Sequence, residues 1–275
     1  MLNKNDKIFI QKIVDEYNSG ASARRLNAKY HIQCEKILKS NTAFLSNHEF
    51  NKKYRFNRIN LKWKFESVSN EIEAYILGIW LSDGCVYNNQ LKLKLKESDK
   101  DLLTNIKNYF SNEIKITKDK KSYSFCISSK LACENAKNFG IIPNKTFSEI
   151  HVPKINDDLI RHFIRGYFDG DGSVFVCKRK TPYLKLNICS PTITILKEIQ
   201  YILNKYNIDS AINIENRIGK KSKTPNNKIS ICKSNMYRLY VRKKESIKNF
   251  YKFIYKDSII YLKRKKDIFD NFYSC

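Results

Sequence analysis

The feature that most limits how this chain can fold is a pattern written twice, about 88 residues apart. Ile76-Leu77-Gly78-Ile79-Trp80-Leu81-Ser82-Asp83-Gly84 and Ile164-Arg165-Gly166-Tyr167-Phe168-Asp169-Gly170-Asp171-Gly172 each read as an apolar helix that stops at an aspartate and a glycine. Of the eight glycines, Gly78, Gly84, Gly166, Gly170 and Gly172 fall in these two segments. Small residues four apart, Gly78 with Ser82 and Gly166 with Gly170, share one helical face and let two such helices meet backbone to backbone. The expectation is an internal duplication with paired helices at its centre.

Each copy continues in the same order. After EIEAYILGIWLSDGCV come a strand QLKLKLKE, a helix from Asp99 to about Phe110, strands around EIKIT and SYSFCIS, and a helix across Lys130 to Phe139. After DDLIRHFIRGYFDGDGSV come a strand YLKLNIC and a helix from Pro191 to about Tyr206. Strands around AINIE, KISIC and MYRLYV follow, then helices at Lys244 to Tyr255 and Lys266 to Phe272. A proline-bearing linker near residues 143–156 separates the copies. Upstream, three short helices are predicted at Asp6 to Tyr17, from a Ser22 cap to Tyr30, and at Gln33 to Lys39. They resemble the helix-turn-helix of recombinase-type and transposase-type DNA-binding domains. Arg24 and Arg25 are their candidate DNA contacts, and a small support for the main body is the plainer alternative. The basic stretch NKKYRFNRINLKWKFE reads as a linker or a DNA-tracking arm. The expected divisions are 1–50, 51–69, 70–155 and 156–275.

Charge narrows the partner. With 52 Lys plus Arg against 27 Asp plus Glu, the formal charge is +25, which points to a polyanion. No apolar run reaches the roughly 18 to 20 residues of a membrane span, and the polar opening lacks a secretory core, so no membrane partner is expected. A soluble, intracellular protein follows, in the cytoplasm or an organelle matrix of its host. The eight cysteines form no CxxC pair and the four histidines no HExxH motif. Zinc and disulfides are therefore not expected, and any chemistry rests on carboxylates and lysines.

An aspartate at a helix C-terminus opposes the helix dipole, and two brought together repel. A divalent cation offsets both effects, and Mg²⁺ between two carboxylates could activate water against a phosphodiester. One Asp-Gly after a helix is an ordinary turn, but two at matching positions in a basic duplication point to a shared site. The doubled segment resembles the signature of the LAGLIDADG homing endonucleases of the two-motif, monomeric type, over roughly residues 68–275. That resemblance implies an α+β fold of two pseudo-symmetric αββαββα domains with saddle-shaped sheets over DNA. It also implies cleavage of both strands with short 3′ overhangs at a long, asymmetric double-stranded target, roughly 20 bp, in the service of intron homing. Mg²⁺ is the implied cofactor, with Mn²⁺ able to substitute. By position, Asp83 and Asp171 become the metal ligands, with Ser82 and Gly170 beside them. Leu81 departs from the pattern where the second copy keeps Asp169, a position that the resemblance makes structural. Lys145 and Lys265 resemble the basic residues placed by each aspartate, which the resemblance makes catalytic together with Asp83 and Asp171, by setting positive charge near the phosphodiester or holding water. Arg161 and Arg165 are alternative phosphate contacts.

In QLKLKLK, leucines alternate with Lys92, Lys94 and Lys96, which gives one packed and one cationic sheet face. The candidate base and phosphate readers are these lysines with Asn88, Gln90, Arg179, Tyr183, Lys185, Asn187, Asn213, Arg217, Arg238 and Arg242. Residues 217–228 read as a long hairpin loop. The alternatives are an intron RNA-splicing maturase, for which host intron RNA is the partner, and a non-cleaving DNA-binding regulator of the same fold. No splice block with a terminal His-Asn is visible, so an intein setting is not expected.

Overall fold

The computed structural model describes residues 7–50, 59–143, 145, 148–223 and 229–274. They fall into two compact units, divided between Asn60 and Leu61.

In the first unit, α1 (Lys7–Asn18), α2 (Ala23–Tyr30) and α3 (Cys34–Asn41) pack Phe9, Ile13, Val14 and Tyr17 against Leu26, Cys34 and Leu38. Their helical spacing is what makes one face apolar. Ser22 caps α2 by accepting the Arg25 N–H at 3.4 Å, and His31 ends it in the left-handed region at φ 54°. A short α4 (Asn47–Phe50), which the sequence reading lacks, adds Phe50 to this core. Arg24 and Arg25 lie on the exposed face of α2.

The second unit carries the duplication. Its first copy is α5 (Glu71–Asp83), β1 (Gly84–Tyr87), β2 (Gln90–Lys96), α6 (Lys100–Phe110), β3 (Thr117–Asp119), β4 (Ser122–Ser128) and α7 (Lys130–Lys137). The second copy is α8 (Asp157–Asp171), β5 (Gly172–Cys177), β6 (Tyr183–Ser190), α9 (Ile193–Lys205), β7 (Ala211–Glu215), β10 (Met236–Val241) and α10 (Lys244–Tyr255). Between β7 and β10 it inserts a hairpin, β8 (Lys221–Lys223) with β9 (Ile229–Ile231), and it ends on α11 (Lys263–Tyr273). The fold is thus α+β, with two antiparallel sheets ordered β1-β2-β4-β3 and β5-β6-β10-β7.

Local chemistry accounts for the key elements. Asn70 caps α5 by accepting the Ile72 and Glu73 N–H groups, each at 3.0 Å. Asn88 and Asn89, at φ 47° and 57°, supply the two left-handed residues of the tight β1-β2 hairpin. Leu91, Leu93 and Leu95 turn inward from β2, and the intervening lysines face outward. The central packing is α5 against α8. A methyl at Gly78 would fall on the Phe163 carbonyl oxygen, and one at Gly166 on that of Tyr75, so the contact is reciprocal across the repeat. Trp80, Phe110 and Phe125 then fill one half of a continuous core, and Phe168, Phe250 and Phe269 the other.

Three expectations need correction. Leu61, Trp63 and Phe65 are buried and pack with Phe110, so residues 61–65 belong to the body and not to a linker or arm. Their alternation with Lys62 and Lys64 puts the rings in and the charges out; residues 51–58 of that stretch lie outside the described residues. The strand placed at EIKIT begins only at Thr117, because Ile114 turns into the core. The loop at 217–228 contains strand β8, and its residues 224–228 lie outside the described residues. Among the described residues, no helix is long and apolar enough to cross a membrane.

Candidate active centre

The glycine contact fixes where the two helices end. One turn beyond Gly78 and Gly166, a Cβ on Gly170 would strike the Ser82 side chain and lie 3.1 Å from Asp83 Oδ2. Asp83, the last residue of α5, therefore stands at the end of α8, one residue from Asp171. Asp83 is exposed and Asp171 is half-buried. Burial, opposed by Lys265 and Lys145, lifts the Asp83 carboxyl above its ordinary range. Burial together with the Asp83 charge pushes Asp171 up to about 6. A cavity of about 210 Å³ opens beside the pair, lined in part by Ser82, Lys145, Tyr167, Asp171 and Ser190.

Lys145 and Lys265 are both brought here, to matching places. Lys145 Nζ donates to the carbonyls of Trp80 (2.9 Å), Ser82 (2.8 Å) and Gly84 (2.7 Å). Lys265 Nζ donates to those of Phe168 (2.6 Å), Asp169 (2.8 Å) and Gly172 (2.5 Å), with Gly170 at 3.4 Å. An ammonium has three hydrogens, and here they are spent on backbone carbonyls gathered around a helix end, of which those of Trp80 and Phe168 also accept the Gly84 and Gly172 N–H groups. Each lysine thus caps the helix that carries its aspartate and neutralises the dipole end that the carboxylate opposes. Burial depresses both lysines to about 8. The ammonium hydrogens are thus committed to the backbone, and the charge of each lysine sits in a fixed place beside its aspartate. The Ser82 and Gly170 carbonyls likewise already accept lysine N–H bonds, and the Ser82 hydroxyl donates back to Gly78 and Ile79.

Asp169 is buried and serves a different purpose. It accepts from Tyr75 Oη at 2.9 Å, Tyr255 Oη at 2.5 Å and the Leu262 N–H at 2.7 Å. Beside it, fully buried Arg165 donates to the carbonyls of Ile260 (2.9 Å) and Ile254 (3.0 Å) and lies 5.3 Å from the Tyr75 ring centre. Arg165 is therefore no phosphate contact. Together these groups strap residues 254–262 to the paired helices, and α11, which delivers Lys265, starts at the end of that strap. In the first copy the apolar Leu81 takes the place of Asp169 and is buried without a polar network. The sequence reading missed this network, although a lone Asp and Arg inside an apolar helix were its signal.

The predicted readers divide by burial. Gln90, Lys92, Lys94, Lys96 and Asn88 lie exposed on or beside β2, with Gln90 donating to Ser128 Oγ at 3.1 Å and Lys94 paired with Asp119. Arg179, Lys185, Asn213 and Arg242 are also exposed, and Arg179 and Lys185 flank the Tyr183 ring. Asn187 is buried and accepts from Arg238 at 3.4 Å, which removes it from the free surface. Glu215 holds Arg217 at 2.9 Å and Arg238 at 3.1 Å, so these two guanidinium groups are pre-oriented.

Among the described residues, no group of three or more His, Cys, Asp or Glu side chains could hold a metal ion. What the centre offers is two crowded carboxylates, a donor set that suits a hard divalent cation which keeps water and takes phosphate oxygens as its other ligands. When bound by Asp83 and Asp171, such a cation supplies positive charge against a phosphodiester and lowers the pKa of attached water.

Two family models match, one to each copy: a WhiA LAGLIDADG-like domain over residues 72–132 and a LAGLIDADG-like domain over residues 158–255. Together they take in more than half of the chain, including nearly all of α5 and α8 and both aspartates. The chain belongs to the LAGLIDADG family. Two curated relatives of this LAGLIDADG protein come from Methanocaldococcus jannaschii. DNA-directed RNA polymerase subunit Rpo1C is 26% identical over 167 residues, covering 56% of this chain and 18% of that one. Glutamine–fructose-6-phosphate aminotransferase is 27% identical over 200 residues, covering 70% and 17%. The LAGLIDADG chain thus matches less than a fifth of the length of either. Similar solved structures include the I-SmaMI LAGLIDADG homing endonuclease bound to cleaved DNA, at 15% identity, TM-score 0.46 and coverage of 74% of this chain and 88% of that one. Another is I-DmoI in complex with DNA and Ca, at 18% identity, TM-score 0.45 and coverage of 73% and 97%.

Proposed function

We propose that this LAGLIDADG protein is a site-specific double-strand DNA endonuclease that acts as a monomer and promotes intron homing. The observation that carries the reading is the pair Asp83 and Asp171, held together at the ends of two reciprocally packed helices against the cost of burial and mutual repulsion. A module that only bound DNA would have no use for that crowding. Asp83 and Asp171 hold Mg²⁺, with Mn²⁺ as a substitute, and the free lone pairs of the Ser82 and Gly170 carbonyls complete the rim. Lys145 and Lys265 keep the helix ends in place and balance the two carboxylates before DNA arrives. The outward faces of the two sheets, with Gln90, Lys92, Lys96, Arg179, Lys185, Asn213, Arg217, Arg238 and Arg242, read bases and grip phosphates. The first unit extends the footprint through its helix-turn-helix-like α2 and α3, with Arg24 and Arg25 on phosphates.

The second reading is a binding-only protein of the same fold, an intron RNA maturase or a regulator, and the commitment of both lysines to backbone carbonyls favours it. The two readings separate in one experiment. DNA spanning candidate insertion junctions is incubated with Mg²⁺ and, in parallel, with EDTA. The endonuclease reading expects one preferred double-strand break that disappears on chelation; intact, bound DNA under both conditions supports binding without cleavage.

A further inference from the structure

The repeat relates more than the aspartates. Tyr87 and Phe175 also stand 88 residues apart, each four residues beyond its aspartate, in the strand that leaves the active centre. In both strands the preceding valine turns into the core, Val86 and Val174 being 7% exposed, so the aromatic ring points away from it. Tyr87 is 71% exposed and Phe175 47%. Their cross-strand partners are Gln90 and Lys185, on the faces that also carry Lys92 and Tyr183. A large ring left in water twice, at matching positions on a cationic polar face, calls for an apolar partner inside a polyanion.

We propose that Tyr87 and Phe175 are a symmetry-related pair of thymine readers, whose rings meet thymine C5-methyl groups in the major groove, one on each side of the scissile centre. The inference rests on the DNA-cleaving reading above and adds a specificity to it. The phenyl ring of Phe175 has no hydrogen-bonding group, and the thymine methyl is the apolar group that base edges present in the major groove. Four residues of strand span roughly 13 Å, which is about four base steps at 3.4 Å each. The two thymines therefore lie roughly four base pairs to either side of the centre.

The test begins with binding selection from a randomised duplex library in EDTA, so that nothing is cut. Thymine is expected to be enriched at one position on each flank. Replacing that thymine with deoxyuridine, which removes only the methyl, should weaken wild-type binding about fourfold, the value of one buried methyl-sized group. Phe175→Ala should bind thymine and deoxyuridine equally at its own flank and leave the other flank sensitive; Tyr87→Ala should do the reverse, and Tyr87→Phe should keep the preference. Both side chains are exposed, so the variants are expected to fold, and unchanged sensitivity at the opposite flank confirms it. Selection of a defined site with no methyl sensitivity, or a sensitivity that survives both alanine variants, overturns the pair as thymine readers and leaves the endonuclease reading standing. Failure to select any sequence overturns both.

Discussion

Burial pushes the Asp171 carboxyl up to about 6 and the Lys145 and Lys265 ammonium groups down to about 8. The carboxylate pair is fully charged only above the first value, and both caps only below the second. Cleavage should therefore rise through about pH 6 and fall through about pH 8, and the acid limb should move to lower pH as Mg²⁺ is increased, because a bound cation favours the carboxylate. A rate profile at two metal concentrations checks this; an acid limb indifferent to metal would speak against Asp171 as a ligand. The signs for stability differ. An acid whose folded pKa is raised contributes stability that is present below its ordinary value and lost as pH rises through about 6. At pH 7 without metal, ionised Asp171 is thus a burden, and Asp171→Asn should raise the melting temperature by about 2–4 °C, the shift expected for about 1 kcal/mol in a chain of this size. The sequence placed both lysines at the centre but could not say what they do. Their role lies in carbonyl partners more than 60 residues away along the chain, and backbone carbonyls carry no sequence signal.

At the scale of elements, the α5-α8 contact decides whether the two aspartates meet. Gly78 and Gly166 face backbone atoms, which cannot step aside as a flexible side chain would. Gly166→Ala should cost about 3 kcal/mol or more and lower cleavage further by parting the helix ends. Gly219→Ala, at φ +79° but in open space, should cost only about 1 kcal/mol. Denaturant midpoints of the two variants compare them directly, and equal losses would contradict the close-packing account. Small residues at four-residue spacing were legible as a packing face because helical periodicity is local. Arg165 was misread: its place in an apolar helix hinted at burial, but nothing in the sequence named the groups it would meet. It is the fold that brings the Ile254 and Ile260 carbonyls to it. Leu61, Trp63 and Phe65 were misread for a related reason: their period-two alternation was present, but the lysines between them carried more weight in a chain already rich in charge.

Across the whole molecule, the +25 charge favours a polyanionic partner but does not locate a site on it. Each unit has its own core, so removing residues 1–60 should leave the cooperative unfolding of the body intact. The same truncation should weaken DNA binding and flatten its dependence on salt, because each lost phosphate contact takes about 0.9 from the slope of log affinity against log salt. An unchanged slope would mean that the first unit does not touch DNA. The duplication, most of its helices and strands and the two aspartates were readable because each is carried by a local pattern; the sheet order, straps and caps were not, because they join segments that only the folded chain brings together. The central claim is that Asp83 and Asp171 form one metal-dependent cleavage centre. Its most direct test is cleavage and binding of the selected duplex in Mg²⁺ by the wild type, Asp83→Asn and Asp171→Asn. Each substitution should slow double-strand cleavage by about a hundredfold or more while binding persists, and a variant that cuts as fast as the wild type would contradict the claim.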